Sequence, residues 1–390
     1  MRVLHTIASM GAKSGGTTTA TFDLLSALNK PDIRGNDRID LLSLSVSGSR
    51  GNHCVAAGCE WYREVPDDGK TPYHYSRNLR RFLATEEYDV YHANGMWLDD
   101  THATCHTARK KGKPYVITPH GMLYPEALKR SAWKKWPLRK LFFDKDILEA
   151  SCIHATCETE MRHLRSFGYT GPIAVIGNPV VSPAIASELI RNRSYSNHNE
   201  PKRFGFLGRL HPIKRIENLI RAVALRKEVR SELLIMGSGD ADNEAFLRDE
   251  AQRLGVRSRV RFLGFVSGDA KFERLALLDA LFVPSDMENF GMIIPEALLV
   301  GTPVMASLGT PWESLNKENC GWWTSNSPES IAAVSDSIAA STPDELRNMG
   351  LRGRHLVLDR FESSKVAASM HQLYKWLNVE YPKPEFICHD

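Results

Sequence analysis

Residues 285–303 read Ser-Asp-Met-Glu-Asn-Phe-Gly-Met-Ile-Ile-Pro-Glu-Ala-Leu-Leu-Val-Gly-Thr-Pro. The apolar run Ala280–Pro284 comes directly before them and predicts a strand. From residue 291 onward the pattern predicts a helix, because a proline is tolerated in the first turn and the final Gly-Thr-Pro supplies stop signals. Glu288 is therefore expected on the loop before the helix, and Glu296 about one turn inside it.

Apolar runs of strand length recur along the whole chain, separated by stretches with helical spacing. One connecting helix is predicted over residues 216–223, whose apolar positions fall at i, i+3, i+4 and i+7. Continuous apolar strands that alternate with helices are typical of parallel sheets covered on both faces, so we predict an α/β protein with two doubly wound domains. The predicted strands are Arg2–Ser9, Arg38–Ser45, Asp89–Ala93, Tyr115–Pro119, Cys152–Cys157 and Ile173–Ile176 in the first half, and Arg203–Leu207, Glu232–Met236, Val260–Leu263, Ala280–Pro284 and Pro303–Ala306 in the second.

Residues 182–202 separate the two series of strands. Within this stretch the segment Arg191–Pro201 is polar and lacks periodicity, which is typical of a linker. We therefore predict a linker between the two domains at this point.

The length and the charge exclude several classes of protein. At 390 residues the chain is expected to form two or three domains. Its 50 Lys and Arg against 46 Asp and Glu give a formal charge of +4, too weak a bias to predict nucleic-acid binding. The 7 cysteines are scattered without a disulfide framework, and the sequence shows neither a signal peptide nor an apolar run of roughly 18 residues. We expect a cytoplasmic protein.

Glycine, histidine and charged residues follow many of the predicted strands. In doubly wound sheets, ligands bind just beyond the carboxyl ends of the strands. We therefore predict a ligand cleft facing both sheets, formed by Gly15-Gly16, His92-Ala-Asn94-Gly95, His120-Gly121, Arg209, Gly237-Ser-Gly239, Phe265 and Glu288.

The segment Gly11–Thr18 has the Gly-x4-Gly spacing of a P-loop, but Thr17 occupies the position of the P-loop lysine. It does not match the dinucleotide fingerprint Gly-x-Gly-x-x-Gly either, which disfavours an oxidoreductase. Two interpretations stay open. The segment is either a glycine turn that presents a helix N-terminus to an anion, or an ordinary strand–helix turn.

Arg209 and Lys214 lie five residues apart on one predicted loop. A guanidinium makes planar, bidentate contacts with phosphate oxygens and a lysine adds a mobile point charge, so the two could bracket a diphosphate. The alternative is a pair of solvated surface cations.

Glu288 and Glu296 flank the start of the helix predicted after residue 291. Carboxylates accept paired hydroxyl donors, such as those of ribose and other sugars, and free backbone N–H groups at Gly291–Ile293 would point toward phosphate. The alternative is a pair of glutamates that the helix dipole stabilises.

Residues 129–145 contain seven basic residues together with two Trp and two Phe. A basic, aromatic helix of this kind can lie in a membrane interface, so we predict peripheral association with anionic membranes. The alternative is a charged surface helix, broken near Pro137, whose Trp and Phe side chains face the core.

Glu288-x7-Glu296 with the internal Phe290-Gly291 resembles the signature of the retaining glycosyltransferases of family 4, also called group 1. The resemblance spans most of the chain. The other segments that resemble family motifs are Gly15-Gly16, His120-Gly121, Gly208-Arg209-x4-Lys214, Gly237-Ser-Gly239 and Phe262-Leu-Gly-Phe265-Val266. The segments 309–313 and 320–323 resemble a branch that builds bacterial surface polysaccharides, while Thr17 to Thr19 depart from the family pattern and leave the acceptor side open.

The resemblance implies the GT-B fold, with two facing Rossmann-like domains. Residues 1–181 would form an acceptor-binding domain and residues 199–361 a nucleotide-sugar-binding domain. A final helix, predicted at Phe361–Asn378, would bring residues 362–390 back to the first domain.

The resemblance also implies transfer of a hexosyl group with retention at the anomeric carbon, without a metal or another cofactor. Arg209 and Lys214 would stabilise the departing diphosphate. Glu288 would hold the donor sugar and Glu296 the ribose, with His120 at the reaction centre. The residues implied to bind the donor or its nucleotide are Gly15, Gly16, Gly237, Phe265, Val266, Asn289, Phe290, Gly291, Met292, Ile293 and Glu296; His92 and Asn94 would lie on the acceptor side.

The implied donor is a UDP- or GDP-hexose, and the implied acceptor is a glycan or a lipid-linked glycan. We expect a role in polysaccharide or lipopolysaccharide biosynthesis, at the inner face of the cell membrane. Two alternatives stay open: a catalytically silent nucleotide-sugar-binding subunit of a polysaccharide assembly complex, or another enzyme of the same fold, such as a sugar-nucleotide epimerase.

Overall fold

The computed structural model describes residues 1–11, 15–45, 54–68, 73–130, 132–197, 200–227 and 230–388. The chain divides into two compact units. Unit 1 comprises Met1–Pro179 and Ser363–Asp390, and unit 2 comprises Val180–Glu362.

Each unit is built on one sheet. The strands are β1 (Arg2–Ile7), β2 (Arg38–Ser45), β3 (Tyr62–Pro66), β4 (Val90–Asn94), β5 (Tyr115–Thr118), β6 (Cys152–Ala155), β7 (Ile173–Val175), β8 (Arg203–Leu207), β9 (Glu232–Met236), β10 (Val260–Gly264), β11 (Ala280–Val283), β12 (Val304–Ser307), β13 (Gly321–Thr324) and β14 (Ile387–Cys388). In unit 1 the strand order is β3-β2-β1-β4-β5-β6-β7-β14, and in unit 2 it is β10-β9-β8-β11-β12-β13. These strands pair in parallel, except that β14 runs antiparallel to β7.

Helices connect the strands. They are α1 (Gly16–Leu28), α2 (Pro31–Arg34), α3 (Arg77–Thr85), α4 (Asp99–Lys111), α5 (Pro125–Lys129), α6 (Ala132–Leu138), α7 (Asp144–Leu148), α8 (Glu158–Phe167), α9 (Ala186–Arg191), α10 (Ile216–Leu225), α11 (Ala241–Arg253), α12 (Gly268–Ala276), α13 (Ile293–Leu299), α14 (Ser314–Lys317), α15 (Pro328–Ala340), α16 (Pro343–Arg360) and α17 (Ser363–Leu377). Arg139–Phe143 form a π-helical turn between α6 and α7, and Pro212–Lys214 and Arg257–Arg259 form 3-10 turns.

The strand order of each sheet reverses at one place, between β1 and β4 in unit 1 and between β8 and β11 in unit 2. Strands β4 and β11 are buried along their whole length, which explains the uninterrupted apolar sequence of β11. β4 also carries His92 and Asn94, whose buried polar side chains have hydrogen-bond partners. Doubly wound sheets bind ligands beyond the carboxyl ends of the strands at such a reversal. Asn94 ends β4 and Glu288 lies on the loop after β11, so two of the predicted site residues lie at these positions.

The final helix, α17, packs against α1 within unit 1. Its apolar residues Val366, Met370 and Leu373 are buried in the same hydrophobic cluster as Leu24 of α1. The predicted return of this helix to the first domain is confirmed.

Residues 182–202, predicted as a linker, fold as part of unit 2. Helix α9 occupies Ala186–Arg191, and the buried guanidinium of Arg193 donates to the carbonyl oxygen of Ala276 at 2.6 Å and to Oγ1 of Thr302 at 2.9 Å. The linker prediction is therefore wrong. These partners lie far away in the sequence, so the local polar pattern gave no sign of them. Residues 198 and 199 lie outside the described residues.

Strand β6 ends at Ala155, two residues before the predicted end at Cys157. Cys157 instead caps α8, and its Sγ accepts a hydrogen bond from the backbone N–H of Glu160 at 3.4 Å. A side chain that satisfies a free N–H at a helix start stabilises that start, which explains why the strand stops early.

Candidate functional site

A lysine–glutamate pair lies where the strand order of unit 2 reverses. Lys214 follows β8 and Glu288 follows β11. Nζ of Lys214 donates to Oε1 of Glu288, and the hydroxyl of Ser285 donates to the same oxygen at 2.7 Å. Both charged side chains are half-buried, so they form an ion pair that solvent and a ligand can still reach.

Backbone hydrogen bonds and one side-chain ion pair fix the loops that carry Lys214 and Glu288. The N–H of Asp286 donates to the carbonyl oxygen of Ile213 at 2.8 Å, and Nε of Arg215 donates to Oδ2 of Asp286 at 2.6 Å. The N–H of Glu288 donates to the carbonyl oxygen of Gly309 at 2.9 Å. A Cβ atom on Gly309 would lie 2.1 Å from the carbonyl oxygen of Asp286, so this approach requires glycine.

Arg209 lies on the loop after β8 and is exposed. Among the described residues it has no hydrogen-bond or ion-pair partner, so its guanidinium is available to a ligand. Its loop is joined to the loop after β9, because the N–H of Leu210 donates to the carbonyl oxygen of Ser238 at 2.9 Å. A Cβ atom on Gly237 would lie 1.8 Å from the carbonyl oxygen of Gly208. Gly237 therefore permits the close approach of the two loops that positions Arg209.

Glu296 lies in α13 and forms an ion pair with Lys271 of α12, with 2.7 Å between Oε1 and Nζ. Burial raises the pKa of Glu296, and the nearby Lys271 opposes this shift. One carboxylate oxygen is thus held by the lysine, and the other can accept a hydrogen bond from a ligand.

The two aromatic residues predicted to bind the nucleotide-sugar donor, Phe265 and Phe290, differ in how far they are exposed. Phe265 directly follows β10 and is 74% exposed, while its neighbour Val266 is half-buried. Phe290 is buried, with its ring 5.5 Å from that of Trp312, and its carbonyl oxygen accepts a hydrogen bond from Nε1 of Trp312 at 2.6 Å. Phe290 therefore anchors the Glu288 loop in the core. The loop continues into α13 through half-buried residues, which are Asn289, Gly291, Met292 and Ile293.

In unit 1, Gly15 and Gly16 form the start of α1. Both are exposed, and a Cβ atom on either would have no neighbour within 4 Å. Gly15 has φ +91°, a left-handed conformation that favours glycine. Residues 12–14 of the predicted glycine segment lie outside the described residues.

His120 lies just beyond the carboxyl end of β5 and has φ 52°, which is uncommon for a residue other than glycine. Its Nε2 is buried and has no hydrogen-bond partner among the described residues. Burial lowers the pKa of His120 to about 3, so its ring is neutral at neutral pH. Together with Asn94, Thr118 and His154 it lines a small pocket, which we call the His120 pocket.

His92 and Asn94 were predicted on the acceptor side. His92 is fully buried, and both ring nitrogens are occupied: Nδ1 lies 2.7 Å from the hydroxyl of Tyr374 and Nε2 lies 2.6 Å from that of Thr118. Its ring therefore offers no surface to an acceptor. Asn94 is also largely buried, but it reaches the His120 pocket.

Sequence reasoning missed several residues that position the site. Asp286 follows a predicted strand and precedes Glu288 by two positions, so its location was a usable signal. Lys271 and Tyr374 gave no signal, because each meets its partner only through the fold.

Residues 129–145 present their tryptophans outward. Trp133, Trp136 and Leu141 are 76%, 64% and 69% exposed, whereas Phe143 is fully buried in the core of unit 1. The alternative, in which the Trp and Phe side chains face the core, is therefore wrong for the tryptophans and correct for Phe143. Ser131 lies outside the described residues, and within the described part of the chain no helix has the length and apolar character needed to span a membrane.

Two family models match the chain. Residues 190–355 match the model described as glycosyl transferases group 1. Residues 15–179 match the model described as a glycosyl transferase 4-like domain. The two matches together include parts of both units.

Curated proteins and solved structures are also similar to the chain. It is 33% identical over 190 residues to an uncharacterized glycosyltransferase of Methanocaldococcus jannaschii, covering 48% of this chain and 45% of that protein. It is 28% identical over 235 residues to a D-inositol 3-phosphate glycosyltransferase of Stackebrandtia nassauensis, covering 56% of this chain and 53% of that protein. The chain thus spans about half the length of the curated relatives it matches. The crystal structure of Anabaena HepE in complex with UDP and glucose is similar with a TM-score of 0.73 and 19% identity, covering 96% of this chain and 100% of that chain.

Proposed function

From the premise that this chain belongs to the glycosyltransferases of group 1, family 4, and has the GT-B fold, we propose that it transfers a hexosyl group from a nucleoside-diphosphate sugar to a glycan or lipid-linked glycan, with retention at the anomeric carbon. The observation that carries the proposal is the ion pair of Lys214 and Glu288 at the strand reversal of unit 2. This pair combines a phosphate-binding cation with a hydroxyl-binding carboxylate at the place where such sheets bind ligands.

Arg209 and Lys214 are the proposed contacts of the diphosphate. The guanidinium of Arg209 has no partner among the described residues, and Lys214 can exchange its carboxylate partner for phosphate oxygens. The negative charge on the diphosphate increases as the bond to the sugar breaks, so two cations that contact it stabilise the transition state more than the bound donor. Glu288 would then accept hydrogen bonds from the sugar hydroxyls.

The nucleoside would bind to the same unit. The exposed ring of Phe265 offers a flat apolar surface to the base, and the free carboxylate oxygen of Glu296 offers an acceptor to the ribose hydroxyls. We propose a uridine nucleotide as the first candidate, since the similar Anabaena structure contains UDP. GDP-hexoses remain the second candidate.

The acceptor would bind to unit 1, near His120. Two exposed tryptophans in the basic segment 129–145 support a lipid-linked glycan, because such an acceptor is held at a membrane surface. This supports a role in polysaccharide or lipopolysaccharide biosynthesis at the membrane. No metal or other cofactor is part of the proposal.

The experiment is a transfer assay with UDP-glucose, UDP-galactose and GDP-mannose, using extracted membrane glycolipids as acceptors. Release of the nucleoside diphosphate is measured first, and the anomeric configuration of the product is then read from the one-bond carbon–proton NMR coupling at its anomeric carbon. We expect an α-linked product from an α-linked donor, formed at least about 100-fold more slowly by Lys214→Ala. A β-linked product would exclude retention. Binding of the donor without transfer would favour the silent subunit, and a changed sugar on an intact nucleotide would favour an epimerase.

A further inference from the structure

Six polar side chains of unit 1 form one continuous chain of hydrogen bonds in its core. Neighbouring members are joined by bonds of 3.3, 2.7, 2.7, 2.6 and 2.8 Å, and the last member is bonded to the carbonyl oxygen of Ile176 at 2.7 Å. The members, in order, are Asn94, His5, Tyr374, His92, Thr118 and His154.

The direction of these bonds follows from the last acceptor. The carbonyl oxygen of Ile176 can only accept, so Nε2 of His154 carries a proton. In a neutral ring Nδ1 of His154 then accepts, and its donor is the hydroxyl of Thr118. Because that proton is used, the oxygen of Thr118 accepts from Nε2 of His92. Nδ1 of His92 therefore accepts, and its donor is the hydroxyl of Tyr374.

The same reasoning extends to the start of the chain. The oxygen of Tyr374 accepts from Nε2 of His5, so Nδ1 of His5 accepts from the side-chain amide of Asn94. That amide also donates to the carbonyl oxygen of Thr6 at 3.2 Å, which confirms that it is the nitrogen of Asn94 that faces these partners.

The three histidines of this chain are neutral. They are buried, and none of the six side chains in this hydrogen-bond chain is a carboxylate. Burial lowers the pKa of His5 to about 3 and that of His154 to about 4. Every proton of the chain is then used within it or on a backbone carbonyl. The capacity that Asn94 and Thr118 have left is their oxygen lone pairs.

We propose that the carbonyl oxygen of Ile176 fixes the direction of this hydrogen-bond chain, and that Tyr374, on the helix that returns to unit 1, is a positioning residue that carries the direction from His92 to His5 and Asn94. Asn94, Thr118 and His154 form one wall of the His120 pocket. With the direction fixed, this wall accepts hydrogen bonds and donates none. It can accept a hydrogen bond from a ligand that brings its own proton, such as a sugar hydroxyl.

The tautomers can be measured directly by two-bond proton–nitrogen correlation of the imidazole rings in 15N-labelled protein at pH 7.5. In the wild type we expect His5, His92 and His154 as neutral rings protonated at Nε2. In Tyr374→Phe we expect the nitrogen shifts of His5 and His92 to change, because both rings lose a direct partner, and those of His154 to stay, because the carbonyl oxygen of Ile176 still holds its proton on Nε2. An Nδ1-protonated ring at any of the three positions in the wild type would overturn the proposal.

A matched control is Tyr169→Phe, which removes another buried hydroxyl of unit 1 that donates to the carbonyl oxygen of Ala150 at 2.9 Å. It should leave the three rings unchanged. A second pair interrupts the chain elsewhere: Thr118→Val should alter His92 and His154, and Thr118→Ser should restore them. If Thr118→Val folds and leaves the rings of His92 and His154 unchanged, the hydrogen bonds of Thr118 do not set their tautomers and the proposal fails.

The kinetic consequence rests on the proposed function. Tyr374→Phe should lower kcat for a hydroxyl acceptor by about tenfold or more, because a small misplacement at a reaction centre has large effects. The affinity for the nucleotide should not change, since we assign its site to unit 2. An unchanged kcat, or an equal loss of nucleotide affinity, would contradict the positioning role. If the wild type transfers no sugar, the proposed function fails, and the NMR result still decides the direction of the chain.

Discussion

Nζ of Lys214 donates a hydrogen bond to Oε1 of Glu288 across 74 positions of sequence. The two residues follow β8 and β11, the strands at which the sheet order of unit 2 reverses. In the proposed donor site, a group that binds phosphate and a group that binds sugar hydroxyls are therefore in direct contact. Diphosphate oxygens would compete with Glu288 for the lysine, so binding of one part of the donor affects the other.

We expect Lys214→Ala and Glu288→Gln each to lower kcat at least about 100-fold, because each removes a contact made to the transition state. The double variant should be little worse than the poorer single variant, since the two residues act as a unit. The measurement is kcat and KM for donor and acceptor in the four proteins.

A surface ion pair of unit 2 serves as the control. Nζ of Lys317 lies 3.0 Å from Oε2 of Glu313, and both side chains are exposed. Lys317→Ala should leave the kinetics unchanged, because an exposed pair contributes little. Near-normal turnover in both Lys214→Ala and Glu288→Gln would contradict the assignment of the site.

Gly237→Ala should displace the loop that carries Arg209, because the new Cβ would lie 1.8 Å from the carbonyl oxygen of Gly208. We expect a loss of about 1–3 kcal/mol in the free energy of unfolding, and weaker nucleotide binding. Gly255→Ala is the matched control, since Gly255 also has a positive φ, of 67°, but a Cβ there has no neighbour within 4 Å. The control should lose stability and keep its nucleotide affinity. Equal nucleotide affinity in both variants would show that Gly237 does not position the nucleotide site.

The protein should lose stability as the pH falls below about 6.5. Burial lowers the pKa of His5 and His120 to about 3 and of His154 to about 4, and it also lowers that of His92. The native state keeps these rings neutral, while the unfolded state binds protons near pH 6.5, so each ring costs about 1.4 kcal/mol per pH unit between its two pKa values.

Urea unfolding at pH 7.5, 6.0 and 5.0 tests this expectation. The free energy of unfolding should change little above the ordinary histidine pKa and decrease steeply below it. A free energy of unfolding that stays constant from pH 7.5 to 5.0 would show that these rings titrate alike in the folded and unfolded protein.

The exposed tryptophans of segment 129–145 should mediate membrane binding. We expect the protein to pellet with phosphatidylglycerol vesicles at low salt, to pellet less at high salt because the charges are screened, and to remain in solution with phosphatidylcholine vesicles. The double variant of Trp133→Ala and Trp136→Ala should pellet far less. Tyr381→Ala, which removes another exposed aromatic of unit 1, should behave as the wild type. If the wild type does not pellet with anionic vesicles at low salt, the hypothesis that this segment binds a membrane surface is wrong.

The sequence predicted the inner strands of both sheets and the edge strand β10, but it missed the other edge strands, β3, β13 and β14. The predicted bounds of β2, β8 and β9 agree with the structure, because these strands are apolar runs between turn signals. Strand β3, at one edge of the sheet of unit 1, reads Tyr-Arg-Glu-Val-Pro and has no buried residue, so it lacks the apolar run on which the prediction depends. β13, at an edge of the other sheet, was missed as well.

The candidate site was also predicted only in part. Motif spacing predicted that Lys214 and Glu288 follow strands, since a motif is local. It did not predict that the two are paired, nor that Lys271 binds Glu296, because these contacts join separate loops and helices. The hydrogen-bond chain through Tyr374 combines residues of four strands and one distant helix, and nothing in its local sequence distinguishes it from ordinary buried residues.

The measurement that tests the central claim most directly is thermal unfolding with UDP, GDP, ADP, CMP or NAD, each in large excess, for the wild type and Arg209→Ala. A ligand at about 100 times its Kd stabilises the folded state by about 2.7 kcal/mol, which should raise the Tm by several degrees. We predict such a shift with UDP or GDP in the wild type, and a clearly smaller one in Arg209→Ala. A shift with NAD alone, or no shift with any nucleoside diphosphate, would contradict a nucleotide-sugar site in unit 2.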